Sequence, residues 1–523
     1  MLHLRGCGHE PHRLSGLEVN QAKFGIKYVS RPPGTHGSAS VDLAASAVLV
    51  DRFQRALERR DRTAIVESIR ELLAQKVPMG PQWHQIAHIA AEQGEVALSR
   101  EAMECFVEAS GGHPQARYQQ AGLLARCGDF RQAYAVICAL PGDLPDPAAN
   151  AYSRGAAALP LGHLDEARLQ LERVTRLRPD IGQAWLPLST LVDFAEEPEL
   201  AERMIAAGRA VENVAPAARA AYFYALGKAY ADLGEHALAF AAFAQSAKLK
   251  KTEQAYDRER DRAGALDAVS GYDAKGIDTL ACEQREPTGR SIFVTGLPRS
   301  GTTLVEQILT SHSAVSDGAE INRLRILSRD VGGTAYPALA AYVAKNGVAP
   351  AARLWAHWMN DRFPDPGRIV DKSMDTSRFL GLAAALLPEA PLIWMTRDPL
   401  DCAWSCFRTH FLAGVPWSYD LEDIAVHFQL EEQLLDRWQE ILGERLLVVP
   451  YEAMVADPPS WIGHIMAHCG LTEEPQVFAP HENPRTVTTS SVMQVRKPIN
   501  RKPVGSAEPY REYLEPFLKA YRH

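Results

Sequence analysis

The sequence predicts a multidomain chain, an all-α repeat solenoid followed by an α/β domain on a mainly parallel sheet, and three observations carry this. Gly94, Gly128 and Gly162 recur at intervals of 34 residues. After about residue 288, short β-type apolar runs alternate with longer helical stretches, as strands joined by crossover helices do. At 523 residues the chain also exceeds what one hydrophobic core supports.

Taken in order, residues 1–40, which include SRPPGTHGSAS, read as a flexible segment. Residues 41–250 read as the repeat domain. Gly155 and Ala167 flank Gly162, Pro179 follows, and Gly227 and Ala239 flank Gly234 in the same places. Small residues there let two antiparallel helices pack closely. Between residues 80 and 250 about five units resemble tetratricopeptide repeats, with Pro187 and Pro198 interrupting the stretch from 181 to 214. Stacked repeats form a curved surface suited to an extended partner. The charged run KLKKTEQAYDRERDR reads as the end of the last helix, residues 251–288 as a linker, and residues 289–523 as the second domain.

Composition excludes several classes. The chain is 46% hydrophobic with a formal charge of −8, so no overall basic field draws it to nucleic acid or anionic lipid. The longest apolar stretch, from Phe379 to Met395, is broken by Pro388, Glu389 and Pro391. No signal peptide or membrane span is expected. Eight cysteines without CxxC or Cys/His ligand spacing read as free thiols in a reducing cytoplasm, with no metal.

The chemistry is expected where four apolar runs end in polar groups. Ile292–Thr295 leads to GLPRSGTT, Arg368–Val370 to Asp371-Lys372-Ser373, Leu392–Met395 to Thr396-Arg397-Asp398-Pro399, and Leu446–Val449 to Pro450-Tyr451-Glu452. In an open parallel sheet these endings line one crevice, where Arg299, Lys372 and Arg397 meet. Gly296 and Gly301 have the spacing of the phosphate-cradling loop G-x-x-x-x-G-K-[ST], but Thr302 replaces the lysine. Such a loop offers backbone amides, a helix N-terminus and the hydroxyls of Thr302 and Thr303. It suits fewer charges than a triphosphate and no magnesium.

PRSGTTL after a strand, Glu320 about twenty residues on, and Arg397 to Ser405 as R-D-P-x-D-x-x-x-S resemble the sulfotransferases that use 3′-phosphoadenosine 5′-phosphosulfate (PAPS). With the preceding repeats, GLPRSGTTLVEQIL, TRDPLDCAWSC, LVVPYEAMVADP and SSVMQVRKPI look like the bacterial tetratricopeptide-repeat sulfotransferases, which are similar to tyrosylprotein sulfotransferases. The resemblance implies that Arg299, Ser300, Gly301, Thr302 and Thr303 hold the 5′-phosphosulfate, and Arg397 and Ser405 the 3′-phosphate. It sets Tyr451, Ser491 and the stretch from Gln494 to Lys497 near the nucleotide. It implies Glu320 as the base for a hydroxyl acceptor, with Arg299 and Lys372 facing the moving oxygens. The repeats would select that acceptor, a peptide or another hydroxyl compound.

Each role has a plainer counterpart. Glu320 could cap or solvate a helix over residues 321–327, Lys372 could pair with Asp371 or Asp375, and His312 is a second possible base. Cys402 and Cys406, one helical turn apart, read as core. The sequence departs from the family at Ser373-Met374-Asp375-Thr376, for Met-Pro-x-Asn, and at Gly505-Ser506-Ala507, for Gly-Arg-Trp. Two rival functions stand: a P-loop kinase, which magnesium dependence separates, and a nucleotide-binding scaffold with protein-binding repeats that has lost catalysis.

Overall fold

The glycines that set the repeat interval end helices. Gly94, Gly128, Gly162 and Gly234 have φ of 87°, 82°, 79° and 77°, the left-handed region where a Cβ is strained. Each lies between two helices: Trp83–Glu92 and Val96–Ala109, Pro114–Arg126 and Phe130–Cys138, Pro147–Ala158 and Leu164–Leu177, Pro216–Asp232 and His236–Glu253. The structure is a computed structural model describing residues 43–318, 320, 322–411, 415–487 and 492–522. The segment expected to be flexible, 1–40, and the candidate Ser491 lie outside the described residues.

The described residues form two compact units, one ending at Asn150 and the other beginning at Ala151. In the first, Phe53, Ile69, Leu72, Ile86, Ala90 and Met103 share a buried core. The buried Ser99 hydroxyl donates to the Ala87 carbonyl at 2.8 Å, tying one helix to the next.

In the second unit, helical hairpins and the sheet occur together, so the expected division between 41–250 and 289–523 differs from the packing. Aromatic burial is the reason. Phe240 of the helix His236–Glu253 stacks on Trp404, Phe407 and Tyr513 at 6.2, 5.6 and 4.8 Å, and Phe243 meets Trp404 at 5.7 Å. The expected linker is also structured. It forms the helices Arg258–Val269 and Ala274–Glu283, capped by Asp257 and Asp273, and Ala268, Tyr272, Ile277 and Leu280 enter the main core. Its charges pair with the helix Leu421–Leu442, as in Arg258 Nε to the buried Asp423 Oδ1 at 2.5 Å. Pro187 lies inside the helix Gly182–Leu191, whereas Pro198 opens the helix Pro198–Ala206, where its missing N–H costs nothing.

The sheet has five parallel strands, β1 (Ser291–Gly296), β2 (Val315–Asp317), β3 (Arg368–Asp371), β4 (Leu392–Thr396) and β5 (Leu446–Pro450), in the order β2-β3-β1-β4-β5. Four match the apolar runs; β2, three residues on an edge, was not read. Alternating residues fill two cores. Phe293, Ile369 and Trp394 pack on one face, and Ile292, Val294, Val370, Ile393 and Val449 on the other. Burial on both faces explains why the strands read as continuous apolar runs. The chain leaves β1 toward β2 and β3 on one side and reaches β4 and β5 on the other. That reversal opens a crevice beyond the carboxyl ends of β1 and β4. Among the described residues no helix is long and apolar enough to cross a membrane.

Candidate active site

The loop after β1 is fixed by close approach. Gly296 has φ 127°, and a Cβ there would lie 2.4 Å from the Met395 carbonyl of β4. Gly301, at φ 112°, precedes the helix Thr302–Thr310, and its Cβ would meet the Tyr451 ring at 2.7 Å. Arg299 adopts φ 72° between them. The Cys402 and Cys406 thiols, both buried as expected, donate to the Pro298 carbonyl at 3.4 and 3.1 Å. The helix Pro399–Phe407, capped by Asp398, thus holds the loop from behind.

Arg299 and Arg397 meet beside this loop. Arg299 donates from Nε to Ser405 Oγ at 3.1 Å and from Nη2 to Gln494 Oε1 at 3.0 Å. Arg397 donates to the Arg299 carbonyl at 3.0 Å and the Pro503 carbonyl at 2.6 Å, and it lies over the Tyr451 ring. Around them opens a cleft of about 590 Å³, lined by Gly301, Thr302, Thr303 and Tyr451 and by Arg299, Arg397, Arg408, Lys497 and Lys502. No carboxylate stands among its described lining residues. Burial, with the charge of Arg397 adding, lowers the pKa of Arg299; burial and both neighbouring guanidiniums do the same to Arg408. Ser300 is 1% exposed, and its hydroxyl has no partner among the described residues. Behind Arg397 the buried Asp401 carboxylate lies 3.9 Å away, and toward the cleft donors and cations converge with no carboxylate among the described lining residues, an arrangement suited to an anion.

Ser405 lies beneath Arg299 and does not line the cleft. The departure at Gly505-Ser506-Ala507 has its own support, because Asp401 accepts from the Gly505 and Ala507 amides at 2.7 and 2.9 Å. That turn follows Pro503, whose carbonyl holds Arg397.

Glu320 and Lys372 form a second group, outside the residues lining the cleft. They follow β2 and β3 and make a close ion pair, with Lys372 6% and Glu320 31% exposed at their side chains. Burial works against the Lys372 charge, but Glu320 and Glu306 outweigh it and raise its pKa. Lys372 makes its ion pair with Glu320 and not with the expected partners Asp371 or Asp375. Asp375 pairs with Arg325, and Asp371 accepts from the Ser373 amide and hydroxyl at 3.0 and 2.7 Å. Ser373 Oγ also accepts from the Asn322 amide at 3.0 Å, which fixes the turn after Glu320. The next helix is Arg323–Val331 with Asn322 at its N-cap position, so Glu320 does not cap it. His312 follows the far end of the helix Thr302–Thr310, where Nδ1 accepts from the Ala314 amide at 3.0 Å.

Sequence reasoning missed Arg408, Lys502, Glu306 and Arg485. Arg408 stands three residues past Ser405 at the same helix end, a spacing that could have shown it. Glu306 is the one acidic residue of the helix TTLVEQILT, also a usable signal. Nothing local marked Lys502 or Arg485.

Comparison with known proteins agrees with this geometry. Residues 291–475 match the family model described as "Sulfotransferase family", so the match falls on the parallel sheet and its loop. The chain is thus a helical region followed by a sulfotransferase-like domain. It is similar to an uncharacterized protein of Aquifex aeolicus (strain VF5), 25% identical over 376 residues, covering 69% of this chain and 48% of that one. It is also similar to a protein-tyrosine sulfotransferase of Drosophila melanogaster, 25% identical over 224 residues, covering 40% and 45%. The chain spans about half the length of these curated relatives. Among solved structures, the sulfotransferase domain of the Synechococcus PCC 7002 olefin synthase aligns at 20% identity with a TM-score of 0.33, covering 43% of this chain and 90% of that one.

Proposed function

We propose that this protein transfers a sulfuryl group from PAPS to a hydroxyl acceptor. The observation that carries the reading is the cleft itself: five cations and no described carboxylate line it beside a glycine-opened helix N-terminus. A donor ending in a phosphate and a sulfate needs such a cradle of amides, hydroxyls and guanidiniums rather than a lysine with magnesium. Arg299, Ser300, Gly301, Thr302 and Thr303 hold the phosphosulfate end. Arg397 holds the 3′-phosphate, Ser405 acts through Arg299, and Tyr451 supports Arg397.

In the reaction the acceptor oxygen bonds to sulfur as the bond from sulfur to the phosphate oxygen breaks. The leaving 3′-phosphoadenosine 5′-phosphate keeps that electron pair. Glu320 takes the acceptor's proton, and Lys372 and Arg299 stabilise the oxygens that gain charge. The helical hairpins select the acceptor, a peptide or another hydroxyl compound.

The test is thermal melting with 3′-phosphoadenosine 5′-phosphate in the presence of a chelator. The nucleotide should raise the melting temperature without metal, and ATP with magnesium should do so far less. Tight, magnesium-dependent ATP binding with none for the bisphosphate nucleotide overturns the reading. Mass spectrometry of cell extract incubated with the protein and labelled donor then identifies the sulfated acceptor.

A further inference from the structure

Behind the pair of Glu320 and Lys372 lies a group of charges that the proposed reaction does not use. Arg485 donates from Nη2 to Glu306 Oε2 at 2.9 Å, from Nη1 to Asp317 Oδ2 at 2.6 Å and from Nε to Gln307 Oε1 at 2.6 Å. Its side chain is 9% exposed and that of Glu306 only 3%. Glu306 and Gln307 stand on the helix Thr302–Thr310, whose first residues line the cleft. Asp317 ends β2, three residues before Glu320. One buried guanidinium therefore ties the loop helix to the strand that delivers Glu320.

Glu306, Asp317 and Glu320 face Lys372 and Arg485 in this region. Arg496 stands beside Arg485 and donates to its carbonyl at 3.3 Å, and the buried Asp371 and Arg323 lie beside Lys372. Burial, with Asp317 and Glu320 adding to it, pushes Glu306 up to about 7, against the pull of Lys372 and Arg485. Asp317 and Glu320 are more exposed, with side chains at 24% and 31%.

We propose, building on the sulfotransferase reading, that Arg485 and Glu306 are positioning residues for Glu320: their buried contact ties the loop helix to the strand end that carries Glu320 and sets the charge that Lys372 faces beside it. With Glu306 protonated, Lys372 has Glu320 as its anionic partner and holds it in place. When Glu306 loses its proton to solvent, Lys372 is shared between two carboxylates and holds Glu320 less firmly. Donor binding, which uses the other end of the helix, is left nearly unchanged.

Two measurements on the full chain test this. Infrared difference spectroscopy of the protein alone reads the protonated carboxyl stretch. Release of labelled sulfate from PAPS to water, which needs no identified acceptor, reads the transfer rate. The wild type should show a protonated carboxyl band that disappears between about pH 6 and about pH 8, with a rate limb in the same interval. Glu306→Gln should lose both while affinity for 3′-phosphoadenosine 5′-phosphate changes less than about threefold. Arg485→Lys, which keeps charge but not the forked contacts, should lower kcat about tenfold or more with donor KM nearly unchanged. A band or rate limb that survives in Glu306→Gln overturns the proposal, as does an equal loss of donor affinity and rate in Arg485→Lys. If the Gln variant does not fold, Glu306→Asp replaces it, and an unmoved band midpoint there counts against the assignment. If no donor binds at all, the sulfotransferase reading fails, and the infrared comparison still decides where the proton sits.

Discussion

The Arg397 guanidinium lies over the Tyr451 ring, 4.9 Å from its centroid. Tyr451 also packs against the loop at Gly301, where a Cβ would come within 2.7 Å of its ring. One aromatic side chain thus backs both the phosphate-type loop and the guanidinium beside it. Stacking orients Arg397 before any ligand arrives, which lowers the cost of ordering it on binding.

Arg397→Ala should weaken a 3′-phosphorylated nucleotide much more than its analogue lacking that phosphate. A charge-assisted hydrogen bond is typically worth about 1.5–3 kcal/mol, so the difference should exceed roughly tenfold. Calorimetric titration of both nucleotides reads it. Equal losses would place Arg397 away from the 3′-phosphate.

Glu320→Gln keeps shape and removes basicity. It should lower kcat by roughly 10²–10⁴ and leave nucleotide affinity nearly unchanged. Because Asn322, not Glu320, stands at the N-cap position of the next helix, a capping loss does not compete as an explanation. Near-normal turnover would remove Glu320 from the mechanism and make Lys372 the next residue to test, since His312 sits at the far helix end.

The same burial that raises Glu306 predicts a pH-dependent stability. Its carboxyl rises from 4.5 to about 7 in the fold, so the folded state binds this proton more tightly than the unfolded state. The stability this confers is complete below the unfolded value and is lost as pH rises through the folded one. Melting temperatures of wild type should therefore fall relative to Glu306→Gln across that interval and then run parallel. The full change is at most about 3 kcal/mol. A constant difference across the interval would mean that Glu306 is already ionised at its lower end.

Two glycines in helices should respond in opposite senses to alanine. At Gly182 a Cβ would lie 1.9 Å from the Ala218 carbonyl oxygen, so the helices must part, at about 1–3 kcal/mol. Gly122, inside the helix Pro114–Arg126, has nothing within 4 Å of that position. Gly122→Ala should gain about 0.5–1 kcal/mol from helix propensity. Denaturant midpoints of the two variants check the pair.

The features legible in the sequence were local ones. Four strands announced themselves because both faces of the sheet are buried, which leaves unbroken apolar runs such as Leu392–Thr396. The loop from Gly296 to Gly301 was legible because its two glycines and two threonines are consecutive in the chain, and the repeat interval because each helix pair needs its own left-handed turn. Tertiary structure decided what depends on distant partners. The short edge strand β2 carries too few residues for a pattern, and the charged stretch after residue 250 hid two helices whose apolar residues are bought into the core by neighbours far along the chain. The pairing of Lys372 with Glu320 rather than Asp371 or Asp375, and the reach of Arg485 to Glu306 and Asp317, join segments 52 to 179 residues apart. No periodicity or propensity encodes such contacts, because they arise only when parallel strands bring their carboxyl ends together and the last segment of the chain closes over them.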